Sequence, residues 1–300
     1  MNDARRIRPD KPSVPPQARP LGRLTELGIY ARSILIDVGH RLLRRRKRGR
    51  DQISSDYDQG EWTQQSSARN WERSATLEAY VEKCWVDRDL TCLVDGELWR
   101  MPATAYYRLR RQKLTAVMRR FAGDVDELVE LGSGTGSILF TLSLAGCWDR
   151  LRGLELSPTG RAVARQVAEH FGIEGQVSFD EIDLLDPASP GFALARGKTV
   201  FTYFCLEQLP NDTELVMRNM CAAGIRRAIH LEPSFELLRP HSLRDLASIS
   251  YVWRQDYQRT ILATARKLAA EGLIRIVATD RLDYSPTWRN PPTLLVWEPA

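Results

Sequence analysis

A glycine-rich turn near the middle of the chain constrains the fold more than any other feature. Leu128, Val129 and Leu131 form a short apolar run that is typical of a buried strand, and every second residue from Gly132 to Gly136 is glycine. A helical pattern starts directly afterwards, so a strand, a tight turn and a helix are predicted in succession. Glycine allows the sharp bend and lets a ligand approach the backbone more closely than a side chain would permit. The turn is predicted to bind a ligand.

The charge beside the turn indicates which kind of ligand. Glu130 lies two residues before the first glycine, where a carboxylate would repel a pyrophosphate and attract the ammonium and sulfonium of S-adenosylmethionine. A dinucleotide-binding turn instead cradles a doubly anionic pyrophosphate, and its third glycine would stand one place later, where this chain has Ser137. The sequence therefore favours a cationic ligand.

The residues from Glu130 to Gly136, Glu-Leu-Gly-Ser-Gly-Thr-Gly, resemble motif I of the class I, Rossmann-like S-adenosylmethionine-dependent methyltransferases. The resemblance spans roughly residues 103–300 and favours the bacterial small-molecule members. It implies an α/β fold with a doubly wound, mostly parallel seven-stranded sheet, helices on both faces and an antiparallel last strand. It also implies that the glycine turn binds the methionine end of the cofactor.

Two further acidic residues follow at a spacing that suits a nucleoside. Glu155 ends a second predicted strand, roughly twenty residues beyond the glycines, where an acidic side chain accepts hydrogen bonds from ribose hydroxyls. Asp183 ends the third predicted strand, where the resemblance implies contact near the adenine amino group; the alternative is a solvated loop carboxylate. The residues predicted to bind the cofactor are Glu130, Gly132, Ser133, Gly134, Gly136, Glu155, Asp183, Leu184 and Tyr203.

The methyl acceptor is predicted to lie beyond the fourth and fifth strands, 199–204 and 227–231, because ligands of open α/β sheets bind at the carboxyl ends of strands. His230 is the first candidate for a general base because its reference pKa, near 6.5, suits proton removal at neutral pH. Glu232 and Glu207 are the next candidates. The alternative for His230 is a hydrogen-bonded histidine inside a buried strand.

The stretch Leu206–Pro210, Leu-Glu-Gln-Leu-Pro, resembles a Leu-Glu-His-Leu-Pro stretch of bacterial small-molecule methyltransferases. Gln208 replaces a histidine that serves as base in some relatives, so the resemblance assigns no base. Metal-dependent relatives supply acidic ligands after the fourth strand, and residues 203–205 supply none, so no metal site is predicted. Further upstream, Tyr106, Tyr107, Arg108 and Arg111 are candidates to reach the cofactor carboxylate or the acceptor, against the simpler reading of solvated arginines and a core tyrosine.

The positive charge of the chain is concentrated at one end. Residues 1–50 contain 14 Lys or Arg and 4 Asp or Glu, whereas the remaining residues carry 29 against 34. Enzymes that act on nucleic acid usually carry their basic surface around the active-site cleft, so this division argues against a nucleic-acid partner. The five cysteines form no Cys-x-x-Cys pair and are typical of a reduced, cytoplasmic protein.

Shifts in composition predict the domain organisation. Residues 1–20 are predicted as a disordered tail, 21–50 as a basic amphipathic helix, 51–69 as a linker, 70–125 as a cap of helices and a hairpin, and 126–300 as the cofactor-binding domain. The apolar stripe of the basic helix comprises Leu24, Leu27, Ala31, Ile34, Val38 and Leu42. Three partners for this stripe remain open: an anionic membrane at the inner, cytoplasmic face, the rest of the chain, or a second copy in a homo-oligomer.

Three functions are compatible with these patterns. The first is O-methylation of a small-molecule acceptor that carries a hydroxyl, such as a sugar, a glycolipid head group or a natural product. The second is N-methylation of a protein or RNA, with the basic tail as a docking arm. The third is a binding module that retains the fold and has lost turnover.

Overall fold

The structure, a computed structural model, describes residues 14–43, 62–209 and 211–300. Seven strands form its main sheet: β4 (Glu127–Leu131), β5 (Arg150–Glu155), β6 (Val177–Glu181), β7 (Thr199–Tyr203), β8 (Arg227–Glu232), β9 (Ile274–Arg281) and β10 (Thr293–Pro299). Their order across the sheet is β6-β5-β4-β7-β8-β10-β9. Strands β4 to β8 pair in parallel, and β10 runs antiparallel to both β8 and β9. The predicted fold class, including the antiparallel last strand, is confirmed.

Helices cover both faces of this sheet. In chain order the helices are α1 (Arg23–Leu43), α2 (Trp62–Ala68), α3 (Leu77–Val81), α4 (Ala103–Ala122), α5 (Ser137–Ser143), α6 (Pro158–His170), α7 (Gly191–Ala195), α8 (Thr213–Ala222), α9 (Leu243–Gln255) and α10 (Ile261–Ala270). Side chains alternate between faces along a strand, so the neighbours Leu128 and Val129 on β4 belong to two different apolar cores. Helices α4, α5 and α6 pack on the core of Leu128, and α7, α8 and α10 on that of Val129. Burial on both faces explains why β4 reads as a nearly continuous apolar run.

A hairpin precedes the main sheet, at the place that the Asp-Gly pair predicted. Its strands are β2 (Asp89–Val94) and β3 (Glu97–Pro102), and both turn residues, Asp95 and Gly96, have positive φ. That geometry suits a two-residue hairpin, and Asp-Gly favours it. Residues within 70–86, before the hairpin, and Arg110 of α4, after it, line the site described below.

Two predicted boundaries near the N-terminus need correction. The short strand β1 (Arg19–Pro20) pairs with Trp99 and Arg100 of β3, so the end of the predicted disordered tail, residues 14–20, is part of the fold. Residues 62–68 of the predicted linker form α2. Residues 1–13 and 44–61 lie outside the described residues, and the predicted disorder of 1–13, the linker at 51–61 and the basic run at 44–50 fall there.

The N-terminal helix packs on its own domain, against α9. The side that faces the protein carries Tyr30, Ser33 and Asp37, all buried, whereas most of the predicted apolar stripe faces outward. The helical pattern was therefore correct, and the stripe lies on the face opposite to the packed one. Within the described residues, no helix combines the length and the apolar character needed to cross a bilayer.

Residues 243–270 form two helices, α9 and α10, with a break between them. Asp256 ends α9 with a φ of 54°, a left-handed conformation that Asp adopts more readily than most residues. The amide of Gln258, inside the break, donates to the carbonyl of Glu207, which ties the break to the segment after β7.

Candidate functional site

A cavity of about 590 Å³ opens where β4, β5 and β7 end. The glycine turn forms its floor, and the segments that follow β5, β6 and β7 form the sides. Residues of the N-terminal cap, including Trp71, Tyr80, Trp85 and Arg110, close it from above. The cavity therefore lies at the carboxyl edge of the sheet, as predicted for an open α/β fold.

Eight of the nine residues predicted to bind a cofactor line this cavity. They are Glu130, Gly132, Ser133, Gly134, Glu155, Asp183, Leu184 and Tyr203. Gly136 does not line it; a Cβ there would lie 2.7 Å from Cζ of Phe179, and its φ is +79°. The third glycine of the turn therefore satisfies a packing requirement within the protein.

Glu130 is a buried carboxylate with unused hydrogen-bonding capacity. Its side chain is 1% exposed, and its Oε2 atom has no hydrogen-bond partner among the described residues. Burial raises its pKa well above the usual range, and the nearby charges of Glu155 and Glu232 raise it further. A buried acceptor of this kind is costly unless a ligand supplies a donor or a positive charge.

Arg110 on α4 is the residue that the sequence analysis missed. Its side chain lines the cavity at 9% exposure, and its Nε atom has no partner within the described part of the chain. Its guanidinium lies 4.8 Å from the centre of the Tyr107 ring and hydrogen-bonds the Tyr203 side chain. Burial acts to lower the pKa of Arg110, yet the tyrosines around it keep that pKa raised. The result is a buried cation whose surroundings are aromatic.

The neighbouring arginines that the sequence offered as candidates pair with a glutamate instead. Arg108 and Arg111 both pair with Glu82, at 2.7 and 2.9 Å. The helical spacing could have identified Arg110 as a buried residue, because it lies four residues from the buried Tyr106 and four from the buried Leu114. An arginine in register with such a buried row faces the core side of its helix.

Glu155 binds the glycine turn directly. Its Oε2 accepts a 2.8 Å hydrogen bond from the amide of Gly134, and its Oε1 accepts one of 2.8 Å from the amide of Ser157. Burial raises its pKa, and these two amides act in the opposite direction. Because each carboxylate oxygen can accept two hydrogen bonds, Glu155 keeps capacity for a ligand while it fixes the turn.

The first glycine of the turn is needed by the protein as well as by any ligand. A Cβ on Gly132, which has a φ of +72°, would lie 2.1 Å from Sγ of Cys205 in the segment after β7. The sequence analysis attributed this glycine to the sharp bend and to the approach of a ligand. The structure adds a contact between two strand ends that a side chain would prevent.

Asp183 and Leu184 lie on the far side of the cavity from the cap. The amide of Asp183 donates to Oγ of Ser189 at 2.8 Å, and its Oδ1 accepts from the amide of Leu185 at 3.0 Å. These bonds hold the segment after β6 in a turn that keeps both residues on the cavity wall.

His230, the first predicted base, does not line the cavity. Its side chain is fully buried in β8, where Nδ1 lies 3.0 Å from Oγ1 of Thr202 and Nε2 accepts a 2.8 Å hydrogen bond from Nε1 of Trp297. Burial lowers its pKa to about 3. Both nitrogens are therefore occupied within the core, and the prediction that His230 acts as base is wrong.

Glu232 also lies outside the cavity wall. Its Oε1 accepts from the amide of Cys205 at 2.9 Å, and its Oε2 from the amide of Glu207 at 3.3 Å. Burial raises its pKa to about 7. Glu232 thus positions the segment after β7, and the prediction that it contacts the reacting atoms is not supported by its place in the fold.

Glu207 is the predicted catalytic residue that does line the cavity. It is 5% exposed; its Oε2 accepts a 2.6 Å hydrogen bond from Nδ2 of Asn290, and its Oε1 one of 3.0 Å from Nε2 of Gln208. Burial raises its pKa to about 8, with a contribution from the charge of Glu232. A carboxylate with this pKa is a stronger base than an exposed one.

The cavity wall that the cap contributes is aromatic. Tyr80 stacks on Trp85 with ring centres 5.3 Å apart, and both line the wall contributed by the cap. Phe204, directly after β7, has a φ of 55°, which is rare for a bulky residue and indicates a backbone held in place by its surroundings. Gln208, which follows Glu207, also lines the cavity.

The unpaired polar atoms of the site belong together. Glu130 Oε2, Ser133 Oγ, Arg110 Nε and Gln208 Oε1 are buried without partners in the described chain, and all four residues line this one cavity. A ligand with both a cationic and an anionic group would satisfy the carboxylate and the guanidinium together. No cluster of three or more His, Cys, Asp or Glu side chains that could hold a metal ion occurs among the described residues.

No family model matches the chain. Similar solved structures include a geranyl diphosphate methyltransferase in complex with GPP and sinefungin, which is 14% identical, with 66% of this chain and 80% of that chain covered and a TM-score of 0.48. The geranyl diphosphate C-methyltransferase of Streptomyces coelicolor A3(2) is 13% identical, with 64% and 79% covered and a TM-score of 0.47. An O-methyltransferase from neocarzinostatin biosynthesis is 16% identical, with 66% of this chain and 57% of that chain covered and a TM-score of 0.44. At these identities and TM-scores, the comparison identifies neither the reaction nor the acceptor.

Proposed function

We propose that this chain is an S-adenosylmethionine-dependent methyltransferase. The observation that carries the proposal is the pairing, in one cavity beside the glycine turn, of a buried carboxylate and a buried guanidinium with unused capacity, Glu130 and Arg110. The amino-acid end of S-adenosylmethionine carries an ammonium and a carboxylate side by side. Glu130 would bind the ammonium and Arg110 the carboxylate, so each unpaired buried group gains the partner it lacks.

The nucleoside end of the cofactor would extend toward β5 and β6. Glu155 has lone pairs left for ribose hydroxyls after it has bound Gly134 and Ser157. Asp183 and Leu184 lie where the adenine would follow, on the same cavity wall. Of the cavity-lining residues that the motifs predicted for the cofactor, this assignment gives a ligand contact to Glu130, Glu155, Asp183 and Leu184, whereas Tyr203 lies against Arg110.

When bound, S-adenosylmethionine supplies a methyl group that its sulfonium has already activated. The remaining tasks of the protein are to align the acceptor, to exclude water and to take up a proton. Trp85 and Tyr80 offer flat apolar surface for alignment, and Phe204 lines the same cavity. Glu207 would take the proton of a hydroxyl acceptor.

These features favour O-methylation of a small hydroxylated acceptor, because a hydroxyl needs a base and an amine needs only its neutral form. Glu207, with a pKa of about 8, would be ionised in a growing fraction of molecules as the pH rises from 6 to 9. The aromatic wall of the cavity suits a sugar ring or a flat natural product. N-methylation of a protein or RNA is the second candidate, because the basic run at 44–50 would serve as a docking arm for an anionic partner.

Two experiments test the proposal. Calorimetry of the full chain with S-adenosylmethionine and, separately, NADH tests the cofactor; binding of NADH alone, or of neither, would refute it. Methyl transfer from labelled S-adenosylmethionine into a cell extract, fractionated into lipid, small-molecule, protein and RNA pools, identifies the acceptor class.

Glu207→Gln tests the base. This variant should bind the cofactor normally and lose transfer, because an amide cannot serve as base. Label found in RNA or protein would replace the first candidate by the second, and cofactor binding without any transfer would indicate a binding module.

A further inference from the structure

Helix α1 presents an apolar stripe to solvent. Leu24, Leu27, Ala31, Leu35 and Val38 repeat at intervals of three and four residues, and all five are exposed. Leu24 is 86% exposed and Leu35 is 74% exposed, which is extreme for leucine in a folded domain. A row of this kind on one helical face marks an interaction surface.

The other face of the helix packs on the domain, where Ile29, Tyr30 and Ile34 join an apolar cluster and Asp37 forms ion pairs. Asp37, 1% exposed, forms ion pairs with Arg254 at 3.0 Å and Arg289 at 3.7 Å, and it accepts a hydrogen bond from Ser250 at 3.2 Å. If the helix rolled to bury its leucines, Asp37 would lose these partners and Arg254 and Arg289 would lose their carboxylate. The ion pairs therefore hold the stripe outward.

Two further contacts fix the same orientation nearer the start of the helix. Oε1 of Glu26 accepts a 3.0 Å hydrogen bond from the amide of Leu98, and Tyr30 packs edge-on against Trp288 with ring centres 5.1 Å apart. The helix is thus held along its length by its polar and aromatic side.

The charge around the stripe identifies the kind of partner. Residues 44–50, directly after the helix, read Arg-Arg-Arg-Lys-Arg-Gly-Arg, and Arg23 and Arg32 are exposed on the helix itself. An apolar row with cations beside it complements a surface that is apolar inside and anionic outside. Two copies of the chain that met at this stripe with their helices parallel would bring their basic runs into mutual repulsion.

Other parts of the same chain are poorly suited to cover the stripe. Residues 1–13 and 44–61 are rich in charge, Pro, Ser and Gln, and their only large aliphatic side chains are Met1, Ile7 and Ile53. Segments of this composition cannot bury enough apolar surface to offset the conformational entropy that they would lose on becoming ordered.

We infer that α1 lies in the surface of an anionic lipid membrane. The leucine row enters the boundary between head groups and acyl chains, and residues 44–50 bind the anionic head groups. The attachment is peripheral, and it stands independently of the proposed reaction, since none of these residues lines the cavity.

Flotation of the full chain with vesicles of phosphatidylcholine, with and without phosphatidylserine, tests this inference. We expect binding only to the vesicles with phosphatidylserine, and loss of binding at high salt. Leu24→Glu/Leu35→Glu should reduce the bound fraction at least about tenfold. The matched control Leu215→Glu/Leu273→Glu, which replaces exposed leucines of α8 and of the segment before β9, should float like the wild type.

Arg44→Gln/Arg45→Gln/Arg46→Gln tests the electrostatic part separately and should also weaken flotation. Thermal unfolding by circular dichroism checks that all variants remain folded, which we expect because the substituted leucines are exposed. Equal flotation of the Leu24/Leu35 variant and the wild type would overturn the inference. So would a wild-type dimer in sedimentation that the same variant converts to a monomer while no form of the protein floats.

Discussion

Nδ2 of Asn290 donates a 2.6 Å hydrogen bond to Oε2 of Glu207, although 83 residues separate them in the chain. Asn290 belongs to the loop between β9 and β10, and Glu207 follows β7. The bond therefore joins the last hairpin of the main sheet to the candidate base. It favours the ionised carboxylate and so opposes the burial that raises the pKa of Glu207 to about 8.

Asn290→Ala should raise the pKa of Glu207 further. The variant removes a donor to the charged form, and such a hydrogen bond contributes roughly 1.5–3 kcal/mol, so we expect a shift of about one pH unit. Carbon-13 NMR titration of labelled glutamate carboxyls measures it, and Glu207→Gln assigns the signal by its disappearance. If the transition stayed where it is in the wild type, the Asn290 bond would have no bearing on the base.

The raised pKa of Glu207 also predicts how stability depends on pH. The folded protein holds this proton up to about pH 8, whereas the unfolded chain releases it near the ordinary glutamate pKa, so stability is complete at low pH and falls as pH rises toward 8. Glu207→Gln removes this dependence. Between roughly pH 5 and 8, the free energy of unfolding of the wild type should fall relative to the variant by up to about 1.4 kcal/mol per pH unit. Urea denaturation at several pH values measures the difference. If the free energy of unfolding varied with pH in the same way in both proteins, Glu207 would not have a raised pKa.

The fold was accessible from the sequence because each signal was local. The apolar run of β4, the glycine turn and the acidic ends of β5 and β6 each lie within a few consecutive residues, and parallel strands bring their carboxyl ends to one edge. In a parallel sheet with adjacent strands β4, β5 and β6, the ends of these strands have to meet. That is why eight of the nine residues predicted for the cofactor line one cavity.

The errors concern contacts between distant parts of the chain. Whether His230 faces a cavity or the core depends on Trp297, 67 residues later, which occupies Nε2. Which side of α1 packs depends on Arg254 and Arg289, which pair with Asp37 from beyond position 250. Periodicity locates a helical stripe and does not state which face the domain will cover. The ion pairs of Asp37 and the apolar contacts of Ile29, Tyr30 and Ile34 together set which face of α1 packs.

Arg110→Met should weaken cofactor binding in a way that depends on the cofactor carboxylate. A charge-assisted hydrogen bond contributes roughly 1.5–3 kcal/mol, so we expect affinity for S-adenosylmethionine to fall roughly 10- to 150-fold. Affinity for decarboxylated S-adenosylmethionine, which lacks the group, should be nearly the same in variant and wild type. Arg108→Met is the matched control, because Arg108 pairs with Glu82 and does not line the cavity. An equal loss of affinity for both ligands would show that Arg110 does not bind the cofactor carboxylate.

Binding of the cofactor should release a proton from Glu130. Its pKa in the free protein is raised by burial and by the charges of Glu155 and Glu232, so a bound ammonium will favour the ionised form. Affinity should therefore increase with pH between about 6 and 7.5, below the range where an α-amino group itself loses its proton. Calorimetry in two buffers of different ionisation enthalpy counts the released protons. Glu130→Gln should bind more weakly and show no such release; an undiminished release in this variant would assign the proton to another group.

Gly132→Ala should be strongly destabilising, and the reason is a contact between two strand ends. The added Cβ would lie 2.1 Å from Sγ and 2.9 Å from Cβ of Cys205, in a backbone conformation with a φ of +72° that favours glycine. Overpacking alone costs about 1–3 kcal/mol, and the strained φ adds to that.

Cys205→Ala in the same chain removes the sulfur and leaves the Cβ contact, so the double variant should recover part of the loss of stability. Gly146→Ala is the control for backbone strain, since its φ is +59° and a Cβ there would meet no atom within 4 Å. Urea denaturation compares the four proteins, and a Gly132→Ala loss no greater than that of Gly146→Ala would show that the Cys205 contact is unimportant.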